Sequence, residues 1–259
     1  MIDESSIAQF ATICQVLEDE EQYSPREAIG TYKEKQMHVA LKRYATHDES
    51  RFEVKIGPYI ADVCEKDRIT EIQTGSFYPL RDKIAYYLNE TEYHVTILHP
   101  VITKRTRVWL DPATGEVLSH YRSPRAERVQ DALRELFWLS EHLMHPRLTV
   151  CLMLVEGEEI RLQDGKRSRD GKRGSHRQAM IPRGLLDEVV LDEREDYLRF
   201  LPEKLSDTFT AAEYGKAMGL RGKAVYSALA VLCAVGLIEK GERRGRAYTY
   251  RKNDIGAGQ

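Results

Sequence analysis

The 259-residue sequence has few cysteines, no long apolar run and almost no net charge. Its four cysteines stand far apart and form no CxxC pair, which argues against a cysteine-built zinc site and favours a reducing compartment. No stretch reaches the roughly 20 apolar residues that a membrane-spanning helix needs. The first ten residues, MIDESSIAQF, are acidic and apolar, whereas a secretory signal begins with basic residues. We therefore expect a cytoplasmic protein without a membrane partner.

The net charge of −2 conceals an uneven distribution. Residues 1–50 carry ten acidic and five basic side chains, whereas residues 201–253 carry ten basic and five acidic ones. Residues 166–183 hold seven basic side chains against Asp170 alone. This basic C-terminal half predicts a polyanionic partner. The segment 166–183 fits a solvated loop as well, and the two interpretations are compatible because basic loops often become ordered on nucleic acid.

Hydrophobic periodicity predicts an α/β (α+β) fold. Helical spacing covers residues 5–17 and a segment from Pro25 to about Arg43. The next segments, RFEVKI, YIADVCE and RITEIQT, alternate apolar and polar residues, as in an antiparallel three-strand meander. An amphipathic helix follows at 77–90, then the buried strand YHVTILHP, and later a helix from Ser123 to about His142. We expect a mixed sheet flanked by helices.

Acidic side chains recur on three of these elements. Glu34 and His38 are four residues apart and share one face of a helix. Asp62 stands in the middle of the second strand, and Glu71 and Gln73 point to one face of the third. A carboxylate inside an apolar strand is costly unless a partner or a metal satisfies it, and Mg²⁺ prefers such oxygen ligands. The alternative is that these side chains lie on solvated faces of the helix and the sheet.

Asp62 on one strand and Glu71-Ile72-Gln73 on the next resemble the motif of the PD-(D/E)XK, or restriction-endonuclease-like, nuclease superfamily. The order of helix, meander, helix and strand over residues 25–100 is similar as well. The resemblance implies a phosphodiesterase that uses Mg²⁺ or Mn²⁺. It also implies that Glu34, Asp62 and Glu71 are metal ligands and that Gln73 acts with them in catalysis.

One position departs from the pattern of that superfamily, where lysine is commonest at the place of Gln73. The lysine positions the attacking water or helps to deprotonate it. Glutamine can neither accept nor carry that proton. Lys83 on the following helix or Lys55 on the first strand could supply the charge, and His38 could orient a phosphate or water.

The segment 203–252 carries a second pattern. Thr210 and Glu213 form a capping box for a short helix. A second helix runs from Lys223 to about Val235, closed by Gly236, and GLIEKGERRGRAYTYR follows as a hairpin with a basic tip. This order resembles a winged helix-turn-helix domain, whose second helix enters the major groove while its wing contacts phosphates. The residues so implicated in DNA contact are Arg221, Lys223, Tyr226, Ser227, Arg243, Arg244 and Arg246. Winged helices also serve as interaction or dimerisation modules.

The expected parts are a nuclease-like domain at 1–165, a basic linker at 166–183, a connecting helix at 184–202, a winged helix at 203–252 and a flexible tail at 253–259. Together they predict a metal-dependent DNA nuclease. Two alternatives stay open: a catalytically inactive nuclease-like DNA-binding protein or transcriptional regulator, and an RNA-directed nuclease. A homodimer is open as well, because duplex cleavage by such folds often needs two active sites.

Overall fold

A computed structural model describes residues 2–22, 35–111, 113–162 and 176–254. Glu34 and most of the predicted basic linker lie outside these ranges. The helices are α1 (Glu4–Gln22), α2 (Lys35–Ala45), α3 (Arg81–Glu90), α4 (Leu133–Leu136), α5 (Ala211–Met218) and α6 (Lys223–Ala234). The strands are β1 (Phe52–Ile56), β2 (Tyr59–Glu65), β3 (Arg68–Ile72), β4 (His94–Leu110), β5 (Val117–Arg122), β6 (Leu148–Leu162), β7 (His176–Leu191), β8 (Thr208–Thr210), β9 (Ile238–Arg244) and β10 (Ala247–Lys252). Short 3-10 helices occupy Glu49–Arg51, Tyr78–Leu80, Val129–Ala132, Phe137–Leu139 and Arg194–Phe200.

A seven-stranded mixed sheet forms the centre of the N-terminal part, in the order β1-β2-β3-β4-β6-β7. The strands β1, β2 and β3 make the predicted antiparallel meander. Both β3 and β6 run parallel to β4. The far half of β4 pairs with β5 in place of β3, because β3 ends at Ile72 opposite Leu98. The predicted mixed sheet flanked by helices is thus confirmed.

Each face of the sheet carries its own helices and apolar cluster. On one face α1 and α2 bury Phe10, Met37 and Leu41 against strand residues such as Ile72 and Met153. On the other face α3 and α4 bury a second cluster, which includes Tyr87 and Leu133. Burial of these side chains, each contributing roughly 1.5–3 kcal/mol, holds the layers together.

The C-terminal part adds a small antiparallel sheet in the order β8-β10-β9, with α5 and α6 packed on it. Thr210 and Glu213 form the predicted capping box, with the Glu213 carboxylate 2.6 Å from the Thr210 amide nitrogen. Gly236 follows α6 at φ +73°, as a residue closing a helix requires. The predicted order of helix, turn, helix and hairpin is therefore present.

Two sequence predictions about helices were wrong. The expected connecting helix at 184–202 is instead the second half of β7, followed by the 3-10 helix Arg194–Phe200. Leu185, Val189 and Leu191 are buried at the even spacing of a strand because β7 pairs with β6 along its length. The helix expected from Ser123 to about His142 is instead three short segments, the 3-10 helices Val129–Ala132 and Phe137–Leu139 with α4 between them.

The linker and tail predictions also need correction where the structure describes them. Residues 176–183 belong to β7, and Arg183 there pairs with Glu18 and Glu158, so this part of the expected linker is built into the sheet. Asn253 in the expected tail donates a side-chain hydrogen bond to the Gly236 carbonyl. Within the described ranges, no single helix is long and apolar enough to cross a membrane. The pair α5 and α6 passes that test only together, across a bend of 102°.

Candidate active site and nucleic-acid surface

The strands β2 and β3 separate at the position of the predicted acidic pair. Their pairing runs from Glu65–Arg68 to Val63–Thr70 and stops there. Beyond that point Oδ2 of Asp62 accepts a hydrogen bond from the Ile72 amide at 2.8 Å. The Asp62 side chain thus satisfies a backbone donor that has lost its strand partner, and this bond fixes the carboxylate at the fork.

A histidine from α2 approaches the same carboxylate. Nε2 of His38 lies 3.4 Å from Oδ1 of Asp62. Burial acts to raise the pKa of Asp62, but the hydrogen bonds from His38 and the Ile72 amide, with the charges of His38 and Lys83, outweigh it. The pKa of Asp62 therefore lies below its ordinary value of 3.8, and the carboxylate is ionised at neutral pH.

Glu71 is buried on the α3 side of the fork, with 1% of its side chain exposed. Its Oε2 lies 2.5 Å from Nζ of Lys83, which α3 places over the end of β3. Burial raises the pKa of Glu71 to about 7, with a smaller contribution from Asp62, while Lys83 acts to lower it. Two carboxyl groups in one site thus have their pKa values pushed apart, an arrangement that often marks acid–base chemistry.

The second oxygen of Glu71 has no hydrogen-bond partner among the described residues. Oε1 is buried, and so is the Tyr87 hydroxyl, which interacts with Glu71 electrostatically but makes no hydrogen bond of ordinary geometry. Leaving a buried oxygen of this kind unsatisfied costs roughly 1–3 kcal/mol or more. A water molecule or a cation at Oε1 would remove that cost.

Gln73 does not point its amide at this pair. Its side-chain Nε2 donates to the Ser76 main-chain carbonyl at 2.6 Å, and its main-chain carbonyl oxygen lies 2.6 Å from Nδ1 of His99. These contacts tie Gln73 to the loop that follows β3. Among the described residues, Lys83 is the lysine that contacts this pair, and the sequence suggested it only as a supporting residue.

The described residues contain no group of three or more His, Cys, Asp or Glu side chains placed to hold a metal ion. The expected third ligand, Glu34, lies outside those residues. A cation here would rest on Asp62 and Glu71. This donor set fits Mg²⁺ or Mn²⁺ better than zinc, because Mg²⁺ takes one or two carboxylates and completes its shell with water and substrate phosphate.

The predicted DNA-contacting residues of the C-terminal part lie mainly on its surface. Arg221 and Lys223 are exposed at the start of α6, and Tyr226 is 64% exposed one turn further on. Ser227 is half-buried and Arg246 is exposed at the tip of the hairpin. The rest of α6 is largely apolar and buried, so only its N-terminal end and one stripe are available to a partner.

Several basic side chains of the β9–β10 hairpin contact other protein groups, which its sequence did not suggest. Arg244 pairs with Glu213, with both carboxylate oxygens 2.6 Å from Nη2. Arg243 packs on the Tyr248 ring at 4.7 Å, and Lys240 packs on the same ring at 3.8 Å. Tyr248 thus organises two cations, a role that sequence reasoning missed.

Comparison with known proteins gives a family match within the N-terminal part and a match to a relative along most of the chain. Residues 35–192 match the model of a family described as "Domain of unknown function (DUF8091)". The chain belongs to the DUF8091 family. An "Uncharacterized protein" from Treponema pallidum (strain Nichols) is 27% identical over 235 residues, covering 88% of this chain and 89% of that protein. No solved structure matches the chain. The DUF8091 region contains Asp62, Glu71 and Lys83, and it ends before the C-terminal part.

Proposed function

We propose that this DUF8091 protein is a metal-dependent nuclease that hydrolyses phosphodiester bonds in DNA. The observation that carries the proposal is that Lys83 contacts Glu71 where β2 and β3 separate, while Asp62 on the neighbouring strand is close enough for charge interactions with both. The order of the meander, α3 and β4 supports a restriction-endonuclease-like fold. In this proposal Lys83 supplies the charge that Gln73 lacks.

Each residue of the site has its own role in the proposed reaction. Asp62 and Glu71 would hold the cation, which neutralises charge on a phosphodiester and makes water a better nucleophile. Asp62 is already ionised, and Glu71 loses its proton near neutral pH. Lys83 keeps Glu71 in place and brings a positive charge beside the position of the phosphate. His38 orients Asp62 from the opposite side of the fork.

The C-terminal part would deliver DNA to this site as a winged helix. The angle of 102° between α5 and α6 lies in the range of helix-turn-helix units. Arg221, Lys223 and Tyr226 sit at the end of α6 that would enter the major groove, and Arg246 stands at the tip of the wing. Phosphate contacts of this kind make binding strongly dependent on salt.

A cleavage assay tests the proposal. Linear, supercoiled, single-stranded and branched DNA, and RNA, are incubated with protein and Mg²⁺, Mn²⁺ or EDTA. We expect metal-dependent cutting of DNA that Asp62→Asn and Glu71→Gln abolish without loss of DNA binding. Asp67→Asn is the matched control, because Asp67 is exposed in the β2–β3 turn. Cutting that survives in both site variants would refute this active site, and preferred cutting of RNA would change the substrate class.

A non-catalytic DNA-binding protein is the second candidate. It is favoured by one observation: Lys83 already occupies Oε2 of Glu71, as it would in a retired site held together by an ion pair. DNA retardation on a gel without cutting under any metal condition would support this candidate over the first.

A further inference from the structure

A separate cavity of about 500 Å³ opens beside the end of β3. It lies in the notch where β3 has ended and β5 has not yet begun to pair with β4, and its floor includes His99 and Val101. Residues Ala132 and Glu135 close it on one side and Ala224 of α6 on another. Its volume suits a small organic ligand.

His99 presents a hydrogen-bond acceptor to this cavity. The residue is 8% exposed, and its Nδ1 must donate to the Gln73 carbonyl, 2.6 Å away, because that oxygen can only accept. The lone pair is therefore on Nε2, for which no hydrogen bond is found among the described residues, and His99 lines the cavity. Phe77 packs edge-to-face on the ring at 4.9 Å and fixes its orientation.

The cavity also discriminates by charge. Glu127, Asp131 and Glu135 line it, and Arg134, whose side chain is 75% exposed, is the one basic residue among the described lining. Glu127 and Asp131 are already paired with arginines, whereas in the described part of the chain the ion-pair partner of Oε1 of Glu135 is Arg134 at 3.9 Å. An anionic phosphate is disfavoured in such surroundings, and a neutral group that donates hydrogen bonds is favoured.

We propose that this cavity binds a nucleobase bearing an exocyclic amino group, which donates to Nε2 of His99 and Oε1 of Glu135 while the ring packs on apolar side chains. Adenine, cytosine and guanine carry such a donor, and uracil and thymine do not. The inference rests on the proposed function, because the base is taken to belong to the DNA substrate of the nuclease. The cavity lining starts at Thr74, three residues after Glu71, and it includes Val101 and Ala132 of the apolar cluster that also contains Tyr87, which interacts with Glu71. When a DNA strand is cleaved at the site of Asp62 and Glu71, a base next to the cleaved bond would lie in this cavity.

The test uses full-length protein in EDTA, so that binding is separated from catalysis. Adenosine, cytidine and uridine are titrated by calorimetry, together with oligo(dA) and oligo(dT) of equal length. We expect adenosine or cytidine to bind at one site at least about tenfold more tightly than uridine, the equivalent of one well-made hydrogen bond. His99→Ala should remove that preference, and Asp62→Asn should leave it intact.

A second variant covers the case in which His99→Ala fails to fold. Ala224→Phe puts a bulky side chain into the cavity lining from α6, and it should also abolish nucleoside binding while the thermal midpoint stays within a few degrees. Equal binding of uridine and adenosine, or binding that survives Ala224→Phe, would overturn the proposal.

The two proposals can fail separately. If the protein binds nucleosides but never cleaves DNA, the nuclease proposal is refuted and the cavity proposal stands. The ligand of the cavity would then be a free nucleoside. Metal-dependent cutting without any nucleoside or oligo(dA) preference would refute the cavity proposal alone.

Discussion

Nζ of Lys83 lies 2.5 Å from Oε2 of Glu71, so a lysine from α3 meets a carboxylate at the end of β3. The Glu71 carboxylate is buried and the Lys83 side chain is 16% exposed. The Lys83 ammonium group can therefore face both Glu71 and an incoming anion. Glu71 and Lys83 are thus two of the three residues that the proposed chemistry uses, together with Asp62.

Replacing the lysine should stop cleavage without stopping binding. In Lys83→Met the buried Glu71 carboxyl loses its counter-charge and stays protonated to higher pH, and no cation remains beside the phosphate. We expect the cleavage rate to fall at least about 100-fold. Lys55→Met is the matched control, because Lys55 is exposed on β1 and makes no contact with the pair. Equal loss in both variants would remove Lys83 from the mechanism.

The pKa of Glu71 predicts how stability varies with pH. Its ordinary value is 4.5 and burial raises it to about 7 in the folded chain. Between these values the unfolded chain loses this proton while the folded chain keeps it, so this group lowers the free energy of unfolding as pH rises. Above pH 7 the full destabilisation by this group is reached, at most about 3–4 kcal/mol. Urea titrations from pH 4 to 8 should show a smaller decrease for Glu71→Gln than for the wild type.

Cation binding should stabilise the folded chain through the same pair. At a hundredfold excess of Mn²⁺ over its Kd, the gain is about 2.7 kcal/mol. That gain corresponds to a rise in Tm of roughly 5–10 °C for a chain of this size. Differential scanning fluorimetry with Mn²⁺, and with Ca²⁺ for comparison, measures it. Asp62→Asn should show no rise, and an equal rise in that variant would place the ion elsewhere.

The two hairpin arginines should differ in their effect on DNA affinity. Arg246 is exposed at the tip, whereas Arg244 is already paired with Glu213. Arg246→Ala should weaken binding at low salt and reduce the slope of log K against log salt by about 1. Arg244→Ala should change that slope less. Fluorescence anisotropy over a salt series compares them, and identical slopes for both variants and the wild type would exclude the tip from the interface.

Gly57 is a test of packing rather than of chemistry. Its φ is +57°, and an added Cβ would lie 2.1 Å from the Tyr86 hydroxyl oxygen. Gly57→Ala should therefore lower the free energy of unfolding by about 1–3 kcal/mol. Gly75→Ala is the matched control, since a Cβ there meets nothing within 4 Å. Chemical denaturation of both variants checks the difference.

Local signals sufficed for the parts of the fold in which neighbouring residues decide the structure. The meander, the capping box of Thr210 and the turn at Gly236 each depend on residues a few positions apart. The same was not true of β7. Its acidic stretch spaces Leu185 and Val189 like a helix, and only pairing with β6 makes it a strand. Partners that lie far away in sequence leave no trace in a local pattern.

The site shows the same division. Asp62 and Glu71 stood out because carboxylates are rare inside apolar strands. The pairing of Glu71 with Lys83 spans twelve positions across a loop, so spacing alone could not separate Lys83 from Lys55. Tyr87 had a signal, since it follows Lys83 by one helical turn. His99 had none, because its role depends on where β3 ends.

The apolar cluster that contains Tyr87 and Leu133 continues without a break into α6, where Val225 and Leu229 belong to it. Arg128 and Gln130 also donate hydrogen bonds to the Met218 carbonyl at the end of α5. The two parts therefore share one set of stabilising contacts. A chain cut at Pro202 would expose apolar surface on both fragments, and heating the intact protein should give a single cooperative transition.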